Sequence, residues 1–491
     1  MKDLKQKALR GGVARISAQV ANLVIRMGSL MIMARLLGPQ EFGLVGMVTA
    51  VTGVFTVFRD FGLSAATVQR ATISKEQSST LFWINLGIGV FLGLVMLALA
   101  PAVVHFYHEP RLFAITAVMA SAFAANAAGV QHAAILERQL RFTTLAFIDI
   151  GSLIVSTAIG ITMAKYGFGY WSLVASMSII PFGYTLGLWI ATKWVPGRPH
   201  RGMGIRSMLR FGGALTLNGV ILYFSNNLDK ILLGRFWGTD ALGIYGRAYQ
   251  LINIPTDNLN SAAGGVAFAA LSRIQDDPPR LRDYFLKGYS LVLSVSIPIT
   301  FTCGLFATEM IRVFLGAKWG SAVPVFRLLA PTALSFAILM PLGWLITALG
   351  MVVRALKMSL VFAPLMAIAY AVGLSHGPTG VALAFSAMKL LSVLPLAAWV
   401  THGTIVSLRD ILVAVGRPLL AGIAGLGAAL PFELFYSSHL PALASLCIGL
   451  TIFISIYATV LIFMLGQKSL YLSLFKGLLD KNRKETVQAP A

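Results

Sequence analysis

Apolar runs of about 20 residues or more follow one another from Val13 to about Leu465, separated by short polar segments. Each run can cross roughly 30 Å of hydrocarbon as a helix. In lipid, the backbone groups of every crossing must be satisfied within the segment itself. The pattern predicts about 14 spans, at 13–37, 42–66, 80–102, 112–134, 143–164, 169–191, 212–233, 241–268, 286–307, 321–348, 355–372, 378–400, 411–432 and 441–465. The fold class is therefore an all-α polytopic membrane protein. The connecting loops are short, and none is large enough to hold a separate active site.

Composition agrees. Of 491 residues, 57% are hydrophobic and 12% charged, about half the charged fraction of an ordinary soluble domain. Mean hydropathy is +0.79. The net charge of +21 is distributed by side. If the N-terminus is cytoplasmic, the opposite face holds only Arg111, Lys165, Arg235, Arg312 and Lys318, and the other loop cations lie on the cytoplasmic side. That asymmetry predicts both termini in the cytoplasm. Because the cations flank spans instead of forming one patch, no nucleic-acid partner is needed to explain them. The first span is too long and too polar for a cleavable signal sequence and lacks a small-residue cleavage site, so none is expected. Cys303 and Cys447 lie in separate apolar spans and read as buried apolar fillers, with no disulfide or metal framework. No cofactor is expected. KSLYLSLFKGLLDKNRK (Lys468–Lys484) reads as an amphipathic helix on the anionic cytoplasmic surface.

The sequence also repeats. ARLLGPQEFGLV (Ala34–Val45) aligns without a gap with GRFWGTDALGIY (Gly234–Tyr245), placing Arg35 on Arg235, Gly38 on Gly238 and Gly43 on Gly243. Upstream, Leu9, Arg10 and Gly12 meet Leu209, Arg210 and Gly212 in the same register, and DFGLSAA (Asp60–Ala66) resembles DNLNSAA (Asp257–Ala263) after a short shift. Six spans separate the copies. An even number preserves orientation, so the halves are parallel repeats about an axis along the membrane normal, with a substrate site expected between two lobes. The expected division is an N-terminal lobe at 1–192, a cytoplasmic linker at 193–211, a C-terminal lobe at 212–400, two further spans within 401–466 and a tail at 467–491.

Candidate chemistry lies inside the spans. Arg15, Gln19, Asn22 and Arg26 fall at i, i+4, i+7 and i+11, within about a 60° stripe of one helix face. Arg15 can snorkel to the surface. Arg26 is mid-span, where a charge is costly unless it faces water, protein or a ligand. The bland alternative is an interhelical ion pair of Arg26 with Asp60 or Asp149. Span two carries Thr49, Thr52, Thr56 and Arg59 on one face, beside Asp60. Span seven carries Thr216, Tyr223, Asn227 and Lys230, beside Asp229. Span eight carries Arg247, Gln250, Asn253 and Asp257. Sequence neighbours do not face each other on a helix, so Arg59, Asp60, Asp229 and Lys230 are expected to find partners across helices. Lys389 in span twelve and Arg327 in span ten are weaker candidates, Arg327 lying near the outer end. Together these residues predict a polar, net cationic cavity. Guanidinium forks suit phosphate, and a helical wall beside lipid leaves room for a hydrocarbon tail. The ligand this favours is a lipid-linked phosphate or diphosphate.

The stretches ARLLGPQEFGLVGMV, FRDFGLSAATVQR, QSSTLFWINLGIG, LDKILLGRFWGTDALGIYGRAYQL and ALSRIQDDPPRLRDYFLKGYSLVLSVSIP resemble the polysaccharide transporter family. These are Wzx-type flippases and exporters within the multidrug/oligosaccharidyl-lipid/polysaccharide exporter superfamily. The resemblance implies a V-shaped fold of two parallel six-helix lobes, spans 1–6 and 7–12, plus two C-terminal helices. It implies alternating access in a bacterial inner membrane and flipping of an undecaprenyl diphosphate-linked oligosaccharide to the periplasmic leaflet. Membrane lipids and polysaccharide polymerase machinery are the other partners it suggests. Related lipid flippases hold diphosphate with arginines in spans one, two and eight, where Arg15, Arg26, Arg59 and Arg247 stand here. Gln19, Asn22, Asn227, Gln250 and Asn253 are the candidates for sugar hydroxyls. Asp60, Asp149, Asp229, Lys230, Asp257 and Lys389 are candidates for ion coupling or ion pairs.

Two rival classes are disfavoured by residues. A cation exporter of the same superfamily calls for an acidic site, yet embedded Lys and Arg (Arg35, Arg327 and Arg417 among them) outnumber the embedded aspartates. A polysaccharide polymerase or ligase calls for a large outer catalytic loop, and the segments near His105–Arg111 and Thr308–Gly320 are short. His105, His108 and Glu109 read as interfacial polar residues and not as a metal or acid–base cluster. There is no nucleotide-binding loop, so direct use of ATP is not expected.

Overall fold

The computed structural model describes residues 2–58, 74–199, 206–467 and 471. Of these, 2–16, 18, 57, 206–218, 221–222, 259–263, 265–266, 268–269 and 352 are described by backbone alone. Every regular element among the described residues is helical. In order the helices are α1 (Lys2–Leu36), α2 (Pro39–Phe58), α3 (Lys75–Tyr107), α4 (Leu112–Arg138), α5 (Phe142–Lys165) and α6 (Trp171–Thr192). The segment Arg206–Arg273 follows, broken at Gly238 into α7 (206–237) and α8 (239–273). Then come α9 (Pro278–Leu305), the short α10 (Ala307–Phe314), α11 (Ala322–Ala348), α12 (Val352–Leu374), α13 (Gly377–Thr401), α14 (Leu408–Phe435) and α15 (Ala442–Thr459). Ten of them, α3–α6, α9 and α11–α15, are long and apolar enough to span a membrane. With α1, α2 and the two arms α7 and α8 they match the span pattern read from the sequence, and the chain is a multi-pass membrane protein.

Helix ends follow local chemistry. At α3 the Ser74 hydroxyl accepts from the Gln77 amide at 3.1 Å while the Gln77 side chain accepts from the Ser74 amide at 3.0 Å, a reciprocal cap. Ser407 and Asp410 cap α14 in the same way. Asp277 caps α9, with Pro278 in the first turn where its missing N–H costs nothing. Gly238 breaks α7 from α8 at φ +78°, a conformation that side chains with a Cβ rarely adopt. The amphipathic α10 breaks the outer segment that the hydropathy pattern leaves as a plain loop.

The chain packs as two compact units. The first comprises Met1–Leu251, Phe314–Val325 and Ser359–Phe385. Within it α3 lies along α4, α5 along α6, α4 against α6 and α1 against α5. Small residues permit the close approach that substitutes for a hydrophobic drive between helices in lipid: a Cβ on Gly89 would overlap Ala127, and one on Gly93 would reach 2.9 Å from the Ala120 carbonyl. Phe91, Phe147 and Ile190 point outward, each more than 60% exposed, as a surface immersed in hydrocarbon requires. The second unit comprises Ile252–Val313, Phe326–Met358 and Ser386–Ala491. Its core joins α9, α11, α13 and α14 through Leu293, Leu345, Val400 and Ile411, and a second cluster joins α14 and α15 through Ala421 and Phe453. Pro331 and Pro341 lie inside α11. Of the two cysteines, Cys303 is buried as expected, but Cys447 is exposed. The expectation of two buried fillers is corrected there: Cys447 sits on the outward face of α15, where an apolar thiol tolerates lipid. The tail segment 468–484 lies outside the described residues except for Tyr471.

The repeat has a counterpart in contacts of the first unit. A Cβ on Gly43 would overlap the carbonyl of Thr239, and a Cβ on Gly243 would overlap the carbonyl of Pro39. Subtracting 200 from Thr239 and Gly243 gives Pro39 and Gly43, so each copy's glycine rests on the other copy's helix start. The start of α2 and the start of α8 thus cross reciprocally, backbone on backbone.

Candidate functional site

Six helices of the first unit, α1 to α6, enclose a cavity of about 670 Å³. Arg26 enters from α1, Thr49, Thr52 and Thr56 from α2, Asn126 from α4, Asp149 from α5 and Tyr184 from α6. Met96, Phe123 and Ile180 supply apolar wall. Arg26 is exposed into this space. The one-face spacing of the three threonines in α2 brings all of them to the cavity, two of them bonding back to their own helix, Thr49 to Gly46 at 3.1 Å and Thr56 to Gly53 at 2.6 Å. Such local bonds let a hydroxyl sit in a span at little cost while still offering its lone pairs.

Asp149 is held by the Asn22 amide, which donates to its carboxylate at 2.7 Å. Among the described residues no ion pair joins Asp149 to Arg26, so the guanidinium and the carboxylate share the cavity without neutralising each other at contact. The Asn22 Oδ1 is buried with no hydrogen-bond partner among the described residues. A cavity with an exposed guanidinium, the Asn126 amide and several hydroxyls can take a hydrated anion bearing further hydroxyl groups.

The other candidates are distributed. The side chains of Arg15, Arg59 and Asp60 lie outside the described residues. Gln19 is half-buried on α1. Arg247 does not line the cavity. Its guanidinium lies over the Phe42 ring at 4.3 Å and bonds to Gln250. The cationic excess expected of the cavity therefore rests, among the described lining residues, on Arg26 alone and is offset by Asp149.

A second polar cluster of the first unit forms where α7 meets α8 and α12. Asp229 is 1% exposed and accepts from the Tyr245 hydroxyl at 2.7 Å. Its other oxygen has no hydrogen-bond partner among the described residues. Lys230 turns the other way, donating to Asn227 at 2.9 Å and lying 4.6 Å from the centre of the Tyr249 ring. Asp229 and Lys230 thus face different neighbours, each reaching a side chain of α8. Tyr223 on the same helix donates to the Thr49 and Ala50 carbonyls at 3.0 and 2.8 Å and lies over Gly53, where a Cβ would overlap its hydroxyl. Replacing Tyr245 by Phe should leave both Asp229 oxygens without a donor and cost about 1–3 kcal/mol. A melting series in detergent checks this, and the loss should largely vanish in an Asp229→Asn background.

In the second unit the Asn253 Oδ1 is buried without a hydrogen-bond partner among the described residues and Asp257 is exposed. Lys389 lies 5.1 Å from the centre of the Phe336 ring. Arg327 reaches the Thr308 hydroxyl at 3.5 Å. At the α3–α4 turn, Glu109 pairs with Arg111 at 2.7 Å, whose hydrogen bonds hold its carboxyl below the ordinary range, and His108 contacts Arg235. Among the described residues no group of three or more His, Cys, Asp and Glu is placed to hold a metal.

Asn126 and Tyr184 are cavity residues that the sequence reading passed over, because it looked chiefly for charged residues and for polar stripes in spans one, two, seven and eight. The signal for Asn126 was present: it is an amide in the middle of the apolar stretch ASAFAANAAG.

Known proteins share this architecture. A solved structure of lipid II flippase MurJ, in an inward closed conformation, matches with a TM-score of 0.70 at 15% identity over 93% of this chain and 99% of that one. An inward-facing multidrug resistance MATE family transporter matches with a TM-score of 0.62 at 14% identity, over 80% and 97%. These likenesses concern the fold. By sequence, the lipopolysaccharide biosynthesis protein WzxC of Escherichia coli (strain K12) is 26% identical over 407 residues, 80% of either chain. The teichuronic acid biosynthesis protein TuaB of Bacillus subtilis (strain 168) is 29% identical over 296 residues, 59% of this chain and 61% of that one. The succinoglycan biosynthesis transport protein ExoT of Rhizobium meliloti (strain 1021) is 24% identical over 310 residues, 63% of this chain and 62% of that one. The family model described as "Polysaccharide biosynthesis protein" matches residues 32–324, more than half of the chain and the stretch that contains most of the quoted motifs, and this transmembrane protein belongs to that family.

Proposed function

We propose that the protein flips an undecaprenyl diphosphate-linked oligosaccharide from the cytoplasmic to the periplasmic leaflet of a bacterial inner membrane by alternating access, for assembly of an exopolysaccharide, capsule or O-antigen. The observation that carries the reading is the cavity of about 670 Å³ within the spans, into which Arg26 is exposed. Its size suits a headgroup of a few rings, since small-molecule sites span roughly 300–1,000 Å³. The names of the relatives and the MurJ-like fold support the same class of cargo.

In this reading both termini are cytoplasmic, and the lobes are 1–192 and 212–400. Arg26 binds the diphosphate, helped by Arg15, Arg59 and Arg247 as the lobes rearrange. Gln19, Asn22, Asn227, Gln250 and Asn253 meet sugar hydroxyls, and the polyprenyl tail stays in lipid. Asp229, with one carboxylate oxygen open, is the first candidate for coupling to an ion, with Asp60, Asp149 and Asp257 behind it. Lys230 and Lys389 serve the local charge balance. Moving negative charge out of a negative-inside cell is favourable by about 2.3 kcal/mol per charge per 100 mV, so the membrane potential alone can drive net export.

The test is a headgroup-accessibility assay in proteoliposomes carrying a fluorescent polyprenyl diphosphate oligosaccharide. Protein-dependent transfer between leaflets, accelerated by an imposed potential, is the expected result. Absence of transfer together with export of a cationic dye would replace this reading with the multidrug one.

A further inference from the structure

A second basic site lies in the other unit, and the flippase reading does not use it. The starts of α9 and α14 enclose a pocket of about 560 Å³. Arg282, Arg409 and Arg417 line it, and among the described lining residues Asp410 is the single carboxylate. Arg282 grips Asp410 with two bonds of 2.5 and 3.0 Å, and Asp410 is fixed in turn by the Ser407 cap. One cation is thereby neutralised and held rigid. Arg409 and Arg417 are exposed and make no hydrogen bond or ion pair among the described residues. Among the described residues the pocket therefore holds two guanidinium groups without a paired carboxylate.

Their depth points to the ligand. α14 has 28 residues, about 42 Å of helix against about 30 Å of hydrocarbon. If the helix is centred, Ser407 stands about 6 Å outside the hydrocarbon and Arg417, ten residues further, about 9 Å inside it. An exposed arginine at that depth is costly without an anion. Leu286 and Val413 add apolar wall beside the arginines, and Leu420, three residues beyond Arg417 on the same side of α14, is 57% exposed. A ligand seated here therefore has phosphate at the arginines and hydrocarbon along these residues. Positive charge in a pocket between helices at the basic face of a membrane protein is the arrangement that recognises acidic lipid headgroups.

We propose that the α9–α14 pocket binds the phosphate of a membrane lipid through Arg409 and Arg417, with Arg282 positioned by Asp410 as the pocket's rigid wall. The shared chemistry is a phosphomonoester or phosphodiester on a hydrocarbon chain. Two lipids present it: a resident anionic phospholipid and a polyprenyl phosphate.

The test is native mass spectrometry of the full-length protein in neutral detergent, titrated separately with cardiolipin, phosphatidylcholine and undecaprenyl phosphate. Wild type is compared with Arg409→Gln/Arg417→Gln, with the charge-preserving Arg409→Lys/Arg417→Lys, and with Arg312→Gln as a remote control. Each lost charge should weaken the bound acidic lipid about fivefold, and the double Gln variant about thirtyfold. Phosphatidylcholine and Arg312→Gln should show no such difference, and the Lys variant should retain most of the binding. Retention of cardiolipin identifies a resident phospholipid, and preferential retention of undecaprenyl phosphate identifies a carrier lipid. Both support the pocket. Equal lipid retention by wild type and the double Gln variant overturns it. If that variant does not fold, wild type alone decides: adducts that survive 0.5 M ammonium acetate unchanged are not held by these charges.

Discussion

Arg26→Ala is expected to slow transfer of a polyprenyl diphosphate oligosaccharide by on the order of a hundredfold, with normal membrane levels. A guanidinium facing a diphosphate forms two charge-assisted hydrogen bonds, each worth about 1.5–3 kcal/mol. Losing one to two such bonds corresponds to that range of rate or affinity. The expectation rests on three facts: Arg26 is exposed, it opens into the cavity of the first unit, and no ion pair ties it to Asp149 among the described residues. Nothing in the surrounding packing should collapse when it is cut back. Arg26→Lys keeps the charge and loses the fork, and should fall between the two. Initial transfer rates in proteoliposomes, normalised to protein inserted, are the measurement. Full activity in Arg26→Ala would remove the residue from the headgroup site, and a protein that fails to reach the membrane would make it structural.

The second large effect is expected at the crossing of α2 and α8. Gly43→Ala and Gly243→Ala should each destabilise the structure by about 2 kcal/mol or more, because the added Cβ meets backbone and not a movable side chain. Gly28→Ala is the contrasting case. Nothing lies within 4 Å of the added carbon, and the change should be neutral or stabilising by up to about 1 kcal/mol, since alanine favours the helix. The double variant Gly43→Ala/Gly243→Ala should cost less than the sum of the singles. The two clashes are relieved by the same separation of helices, so the sites are coupled. Melting midpoints in detergent give all four values. Additivity would show that the two contacts open independently. If the crossing closes one side of the transport path, both single variants should also lose transfer while still admitting ligand from the other side.

The lipid-crossing pattern was legible because hydropathy is local. The cost of placing a stretch in hydrocarbon is a sum over its own residues, and α3 or α15 can be recognised without knowing any neighbour. The repeat was legible for a similar reason: Gly38 and Gly43 recur at Gly238 and Gly243 in one register. The site was only partly legible. The stripe of Asn22 and Arg26 and the threonine face of α2 follow from helical spacing alone. Which of these polar groups converge does not. Asn22 meets Asp149 across 127 residues of sequence, and Asn126 and Tyr184 join them from helices whose own sequences look like ordinary spans. Arg247, expected from its span to be a headgroup ligand, instead turns onto Phe42 and Gln250.

The sequence by itself determined the solvent of this protein, the approximate number of its crossings, the expected side of its cations and the presence of charge inside a span. Tertiary structure decided which embedded charges share a space, which are tied off, and where one helix start rests on another. The reason is physical. Insertion into lipid is priced residue by residue, whereas partner choice inside lipid has no hydrophobic drive to guide it and is set by helix rotation and by close contacts such as Gly43 on Thr239, which arise only when distant segments pack.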